Sequence, residues 1–172
     1  MASLAHLAVG AAAGRLAMGR RHIGASVLCA ALSMLPDADV LAFNLGIPYH
    51  HPFGHRGATH SIAFALVCGL VAWAVARWRT GDGRRWGLVV GLTVLTHPLL
   101  DMLTTGGLGV ALWWPLSDAR VFFPWRVIPV APIGWGMLSP RGALVVMVEL
   151  GPSLPFVLWA LAPDRRRARP QP

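Results

Sequence analysis

The chain is poor in charge and contains no lysine. Only 13% of its 172 residues are charged, whereas a soluble domain of this size carries about 25%. The hydrophobic fraction is 55% and the mean hydropathy is +0.57. This composition excludes an ordinary soluble domain. It indicates a membrane protein of about one domain's length, without a separating linker.

Cysteine is scarce as well, because Cys29 and Cys68 are the only two. Both lie in apolar runs without Cys-x-x-Cys spacing, which predicts packing residues rather than a disulfide or a metal pair. The sequence also has no Gly-x-Ser-x-Gly element and no P-loop to indicate other common chemistries. The N-terminal apolar run has no basic segment before it, so we expect it to be retained rather than cleaved as a signal peptide.

Five apolar runs follow one another along the chain. They cover residues 2–18, 22–35, 61–76, 86–100 and 142–162. Several are shorter than the about 20 residues of a spanning helix, but tilt and snorkelling arginines accommodate short spans. We predict an all-α, polytopic membrane helical bundle of about four to five helices, with four spans or four plus a partly inserted N-terminal helix.

The remaining segments are polar or broken. A His-rich loop covers about 44–59, and proline interrupts 104–141 too often for long helices. We expect residues 1–163 to form a single membrane-embedded domain and residues 164–172 to form a basic, disordered tail.

All 15 basic residues are arginines, and most of them form three clusters beside apolar runs. These clusters are Arg15, Arg20 and Arg21; Arg77, Arg79, Arg84 and Arg85; and Arg165, Arg166, Arg167 and Arg169. Under the positive-inside rule, this distribution is typical of cytoplasmic loops and favours a bilayer partner over nucleic acid. We therefore predict an inner-membrane, multi-pass protein with a cytoplasmic C-terminus.

Histidine and aspartate concentrate in three motifs at the ends of apolar runs. The motifs are Leu-Pro-Asp-Ala-Asp at 35–39, His-Arg-Gly-Ala-Thr-His at 55–60 and His-Pro-Leu-Leu-Asp at 97–101. The arginine-derived topology places all three, together with His6, on the extracytoplasmic face. Because ionisable groups near a bilayer are costly, their convergence predicts one shared site.

The spacing within the motifs suits metal ligation. His97 and Asp101, four residues apart, share one face of a helix. Pro36 is expected to end the preceding helix, and Asp37 and Asp39 then share one side of an extended or turn segment. Mixed His and carboxylate ligands suit zinc, manganese or iron better than calcium, and we expect Zn²⁺, or alternatively Mn²⁺; their number allows one or two ions. The predicted metal ligands are His6, Asp37, Asp39, His55, His60, His97 and Asp101.

The candidate catalytic residues are Asp39, Arg56 and His60. Arg56 either binds an anionic substrate group or forms a salt bridge to Asp37, Asp39 or Asp118. A carboxylate of the site serves either as a ligand or as a general base.

Some motif residues also have purely structural explanations. Thr59 is positioned to cap the helix that begins at Ser61, and Gly57 permits a tight turn before it. His50 is expected to be a solvated loop residue. Glu149, in the middle of an apolar run, is either hydrogen-bonded inside the bundle or functional.

At these residues the chain resembles the YdjM-like family, described as LexA-regulated, membrane-bound, metal-dependent hydrolases. The resemblance covers about residues 1–118. It is carried by His6, Leu-Pro-Asp-Ala-Asp, His-Arg-Gly-Ala-Thr-His-Ser and Thr-His-Pro-Leu-Leu-Asp, followed by a Thr-Gly turn and Trp-Trp-Pro. The family is similar to the all-helical zinc phospholipase C and P1 nuclease group, which implies hydrolysis of a phosphoester, possible substrates including a lipid. A metal transporter and a non-catalytic scaffold with a structural metal are the alternative functions.

Overall fold

A computed structural model of the protein describes residues 3–18 and 23–162. Within these residues the chain is all-helical, as predicted, and has no named strand. The α-helices are α1 (Ser3–Met18), α2 (Ile23–Ser33), α3 (Ile62–Thr80), α4 (Arg84–Asp101) and α5 (Pro140–Leu161). Short 3-10 helices cover Leu35–Leu45, Ala58–His60 and Gly134–Leu138. The expectations for Arg20, Arg21 and the 164–172 tail lie outside the described residues.

Three helical stretches of the described chain are long and apolar enough to cross a membrane, judged by length and composition. They are Ile23–Leu45, Ile62–Thr80 and Pro140–Leu161, and α1 contributes a shorter apolar helix. The estimate of four spans is therefore too high by this criterion. The helix that falls short is α4, because Arg84 and Arg85 occupy its first turn and His97 and Asp101 lie near its end.

Pro36 lies in the first turn of a new helix, whereas we predicted that it would end the helical segment. A 3-10 helix starts at Leu35, with Pro36 in its first turn, and continues to Leu45. Proline is tolerated there because the first N–H groups of a helix lack intrahelical partners in any case. The helix ends at Gly46, whose φ of 73° is left-handed and whose N–H bonds the carbonyls of Ala42 and Phe43.

Small residues bring the helices into close contact. A Cβ added to Gly10 of α1 would lie 2.5 Å from the Cys29 carbonyl oxygen of α2. On the other side of the bundle, Gly69 of α3 faces Gly87 of α4. This is the small-residue packing expected of membrane helices, which gain little from burying apolar side chains away from equally apolar lipid.

The segment between α4 and α5 contains no long helix, as its prolines predict. Isolated bridges join Thr104 to Ile128 and Val110 to Val121. The segment also bonds the His-rich loop, since the Ala111 N–H donates to the Arg56 carbonyl at 3.0 Å. It thereby fixes the loop that carries His55 and leads into His60, two of the predicted histidine ligands.

Candidate metal centre

Five of the predicted ligands converge at one end of the bundle. His6 comes from the start of α1, Asp37 from the first turn of the 3-10 helix, His60 from the residues before α3, and His97 and Asp101 from the end of α4. Asp37 is 6% exposed and the other four are fully buried. Motifs far apart in sequence therefore form one enclosed cluster.

The ligand atoms of this cluster are spaced as a metal shell requires. His97 Nε2 lies 3.3 Å from Asp37 Oδ1. His60 Nε2 lies 3.5 Å from Asp37 Oδ1 and 3.5 Å from Asp101 Oδ2. His6 Nε2 lies 3.5 Å from Asp101 Oδ1. Tetrahedral ligands about 2.1 Å from a zinc ion are about 3.4 Å from one another, so the separations among Asp37, His60, His97 and Asp101 fit a common ion. His6 lies beside the other oxygen of Asp101.

The imidazole tautomers direct two lone pairs into the cluster. His97 Nδ1 lies 2.7 Å from the Ser33 carbonyl oxygen, which only accepts, so Nδ1 carries the proton. His60 Nδ1 lies 3.1 Å from the Asp39 carboxylate and is protonated for the same reason. In a neutral imidazole the other nitrogen is then a bare acceptor. Once the rings are neutral, as metal binding requires, both Nε2 atoms present lone pairs to the side where the carboxylate oxygens of Asp37 and Asp101 lie.

Eight buried side-chain atoms of the cluster make no hydrogen bond among the described residues, although one of them, Asp101 Oδ2, forms an ion pair with Arg56. They are both ring nitrogens of His6, both carboxylate oxygens of Asp37 and of Asp101, and Nε2 of His60 and of His97. Buried polar atoms are almost always paired. Lone pairs that face carboxylates also repel one another unless a cation lies between them. The donor set therefore fits a divalent cation of the zinc or manganese type.

Asp39 and His55 form a second group on the far side of the His60 ring. The Asp39 carboxylate accepts from His55 Nδ1 at 2.6 Å, from the Arg56 N–H at 3.0 Å and from the Thr59 hydroxyl at 2.7 Å. Its oxygens are thus occupied by donors within the protein. A carboxylate behind a histidine ligand fixes the tautomer and orientation of that histidine in many metal sites.

Asp37 and Asp39 do not share one side of the chain, in contrast to our expectation. They lie in a 3-10 helix, where three residues complete a turn and residues two apart point in different directions. Asp37 consequently approaches His60 at Nε2, and Asp39 approaches it at Nδ1.

Arg56 pairs with a carboxylate other than the three named in the sequence analysis. Its Nε lies 3.0 Å from Asp101 Oδ2, and its Nη1 donates to the Thr104 hydroxyl at 3.1 Å and the Gly106 carbonyl at 3.0 Å. The residue is 1% exposed and has a φ of 63°, in the left-handed region. Such backbone strain in a non-glycine residue persists only where its surroundings fix it. Here it places the guanidinium against a ligand carboxylate.

The electrostatics of His60 are dominated by its neighbours. Burial opposes protonation, yet the carboxylates of Asp101, Asp37 and Asp39 outweigh it and raise the pKa of His60 to about 10. A cation at this position, whether proton or metal, is therefore strongly favoured.

The helix cap beside the site is Ser61 rather than Thr59. The Ser61 hydroxyl accepts from the Phe64 N–H at 3.0 Å, three residues into α3. Ser61 directly precedes the first helical residue, which is the position from which a side chain reaches that amide. Thr59 is thereby left to donate to Asp39. Gly57 has a negative φ, so the turn does not need a left-handed residue there. Glycine is needed because an added Cβ would collide with the Pro52 carbonyl oxygen.

Two supporting residues carried no signal in the sequence. Ser33 joins two ligands: its hydroxyl shares one proton between the His6 carbonyl at 2.8 Å and the Ala30 carbonyl at 2.7 Å, and its own carbonyl accepts from His97. Arg120 donates to the carbonyls of Tyr49, His51 and His55 and so fastens the His-rich loop. These contacts involve backbone carbonyls, which every residue has, so no sequence motif predicts them.

Comparison with known proteins places the chain in a family. The model of the YdjM inner membrane protein family matches residues 1–164. The chain belongs to this family. It is 46% identical over 140 residues to the inner membrane protein YbcI of Escherichia coli K12, which covers 78% of this chain and 80% of YbcI.

A second relative is more distant. Inner membrane protein YdjM of Escherichia coli K12 is 37% identical over 103 residues, or 55% of this chain and 50% of YdjM. No solved structure matches the chain. The resemblance drawn from the motifs is thus confirmed at the level of the family, and the match extends beyond residue 118. The relatives' names describe inner membrane proteins, in agreement with the three apolar helical stretches.

Proposed function

We propose that the five-residue cluster binds one divalent metal ion, preferentially Zn²⁺ or alternatively Mn²⁺, and that the protein is a membrane-embedded metal-dependent hydrolase. The observation that supports this proposal is the convergence of buried nitrogen and oxygen atoms without hydrogen-bond partners. A bound metal would supply Lewis-acid polarisation and an activated water. A phosphoester, including that of a lipid, is the proposed substrate class, and its support is the similarity to the zinc phospholipase C and P1 nuclease group that the sequence motifs imply for this family.

The residues divide into ligands and supports. In our proposal His6, Asp37, His60, His97 and Asp101 hold the ion. Asp39 and His55, which are hydrogen-bonded to each other, position His60. Together with His60 they also form a second group of side chains close enough to hold a metal ion.

Two features of the site concern its proposed interaction with a substrate. Arg56 holds Asp101 through its Nε atom and contributes positive charge beside the cluster. Asp37, at 6%, is the most exposed of the five ligands.

The enclosed position of the ligands favours hydrolase or structural roles over transport. All five lie where helices begin or end at one end of the bundle. A transit site needs ligands, or water access, that connect both sides of a membrane. An apolar groove of about 540 Å³ between α3 and α4 is lined by none of the five.

Metal analysis of the purified protein tests the proposed site. We expect about one equivalent of zinc or manganese per chain in detergent-purified wild type, and less than a tenth of that after His97→Ala, because loss of a ligand leaves the shell incomplete. The matched control is His51→Ala, since His51 is an exposed histidine of the neighbouring loop. Wild-type protein without a bound transition metal would contradict the proposal, as would equal metal content in the two variants.

A non-catalytic structural metal is the second candidate, because burial of all five ligands is also typical of a closed site. The two functions differ in whether an anion reaches the ion. In the Co²⁺-substituted protein, a hydrolase site changes its visible absorption spectrum when phosphate or vanadate is added, and the protein cleaves a chromogenic phosphodiester. A structural site shows neither response, although metal removal still lowers its thermal stability.

A further inference from the structure

Glu149 is a buried carboxylate in the middle of an apolar helix. It lies in α5 (Pro140–Leu161), one of the three stretches long enough to cross a membrane, and is 2% exposed. A carboxylate at such a position is costly and generally has a specific partner. The sequence alone left open whether this residue is structural or functional.

The partner of Glu149 is the beginning of α1. Its Oε2 accepts a hydrogen bond from the Leu4 N–H at 2.9 Å. The first four N–H groups of any helix lack intrahelical partners, and the N-terminal end carries partial positive charge. The first turn of α1 contains no acidic residue of its own. Glu149 therefore caps α1 from a different helix.

The capped N-terminal part of α1 carries His6. Both ring nitrogens of His6 lack hydrogen-bond partners among the described residues, so no such bond aims its ring. The ring stacks on that of His97 at 3.8 Å between centroids, and the His6 carbonyl accepts from Ser33. The placement of Nε2 beside Asp101 consequently depends on where the α1 backbone is held.

We propose that Glu149 is a positioning residue that fixes the N-terminal turn of α1 and thereby sets His6 into the metal cluster. This inference rests on the proposed metal site. Glu149 itself binds no ion. It acts through the α1 backbone, in the way that hydrogen-bond partners behind a ligand tune metal affinity at other sites.

Metal affinity and spectra of matched variants test this inference. We expect Glu149→Ala to bind Co²⁺ about tenfold more weakly than wild type and to show the visible spectrum of His6→Ala. Glu149→Gln, which keeps an acceptor oxygen, should remain near wild type. Ser153→Ala is the control, because Ser153 is equally buried one turn further along α5 and its hydroxyl has no partner in the described chain.

A double variant of His6 and Glu149 distinguishes a positioning role of Glu149 from general destabilisation of the protein. Once His6 is alanine, adding Glu149→Ala should cost no further affinity. Leu4→Pro tests the same bond from the donor side if Glu149→Ala does not fold, because proline removes the N–H yet is tolerated in a first helical turn. It should weaken Co²⁺ binding as Glu149→Ala does.

Hydrogen exchange provides a readout that needs no metal. In metal-depleted protein, the amides of the first turn of α1 should exchange faster in Glu149→Ala than in wild type or Ser153→Ala. Wild-type Co²⁺ affinity and spectrum in Glu149→Ala or in Leu4→Pro would overturn the inference, as would an equal loss with and without His6. If wild type binds no metal, the proposed metal site fails and the inference fails with it. If wild type binds metal and Glu149→Ala is unaffected, only the inference fails.

Discussion

At the scale of single residues, His60 connects the two halves of the site. Its Nε2 faces Asp37 and Asp101, while its Nδ1 faces Asp39. The ring is therefore surrounded by negative charge on both sides. An imidazolium or a metal-bound imidazole relieves this charge, and a bare neutral ring does not.

The competition between proton and metal at His60 predicts a pH dependence. The pKa of His60 is raised to about 10, so metal-free protein holds the proton at neutral pH and must release it to bind an ion. Apparent zinc affinity should accordingly rise about tenfold for each pH unit between pH 6 and 8 for one proton released. Competition titration against a chromophoric chelator, corrected for the chelator's own protonation, measures this slope. The exposed-histidine variant His51→Ala should keep the slope, and an affinity independent of pH would contradict the prediction.

Residue types and spacing predicted which residues lie together in the fold but not the position of every side chain. The i, i+4 pair His97 and Asp101 was predictable because α-helical geometry alone places both on one face. The roles of Asp37 and Asp39 were not, because the choice between a turn and a 3-10 helix decides which way each points. The partner of Arg56 depended on its left-handed φ, which no sequence pattern shows in a non-glycine residue.

At the scale of helices, the placement of α1 on α2 determines whether the cluster is complete. Gly10 lies at this contact, where an added Cβ would be 2.5 Å from the Cys29 carbonyl and 2.7 Å from the Ser33 hydroxyl. The same hydroxyl holds the His6 carbonyl. Glycine at this position thus links helix packing to ligand geometry.

We expect Gly10→Ala to lower the free energy of unfolding by about 1–3 kcal/mol, because the new methyl group overpacks the helix contact. It should also weaken metal binding by displacing Ser33. Thermal unfolding in detergent and chelator competition measure the two effects. Gly24→Ala in α2 is the matched control, since its added Cβ meets nothing within 4 Å, and it should leave both unchanged or slightly raise stability. Equal behaviour of the two variants would refute this account of the contact.

The helices themselves were largely predictable from apolar runs, and their ends were less so. The run at 61–76 predicted the core of α3. The helix continues through Arg77 and Arg79 to Thr80, and Gly81 caps its end. The 3-10 helix from Leu35 to Leu45 was missed, because a proline after an apolar run is compatible with either a stop or a new helical start. The local signal is the same in both cases, and contacts made by Asp37 and Asp39 distinguish them only in the folded protein.

At the scale of the whole molecule, charge and chemistry occupy opposite ends of the helices. α3 begins next to His60 and ends with Arg77 and Arg79, while α4 begins with Arg84 and ends at Asp101. Because arginine-rich loops remain in the cytoplasm, we propose that the metal cluster faces the extracytoplasmic side. This orientation was derived from arginines alone, so it is independent of the metal chemistry.

Cysteine accessibility tests the orientation. In a background with Cys29→Ala and Cys68→Ala, a membrane-impermeant maleimide should label Ser117→Cys in intact Escherichia coli cells and Asp82→Cys only after lysis. Both positions are exposed; Asp82 lies between the arginines of α3 and α4, and Ser117 follows the ligand-bearing end of α4. The reverse pattern would place the cluster in the cytoplasm. The positive-inside rule would then fail for this chain, and the proposed metal site would stand, since the ligand distances do not depend on which side of the membrane they face.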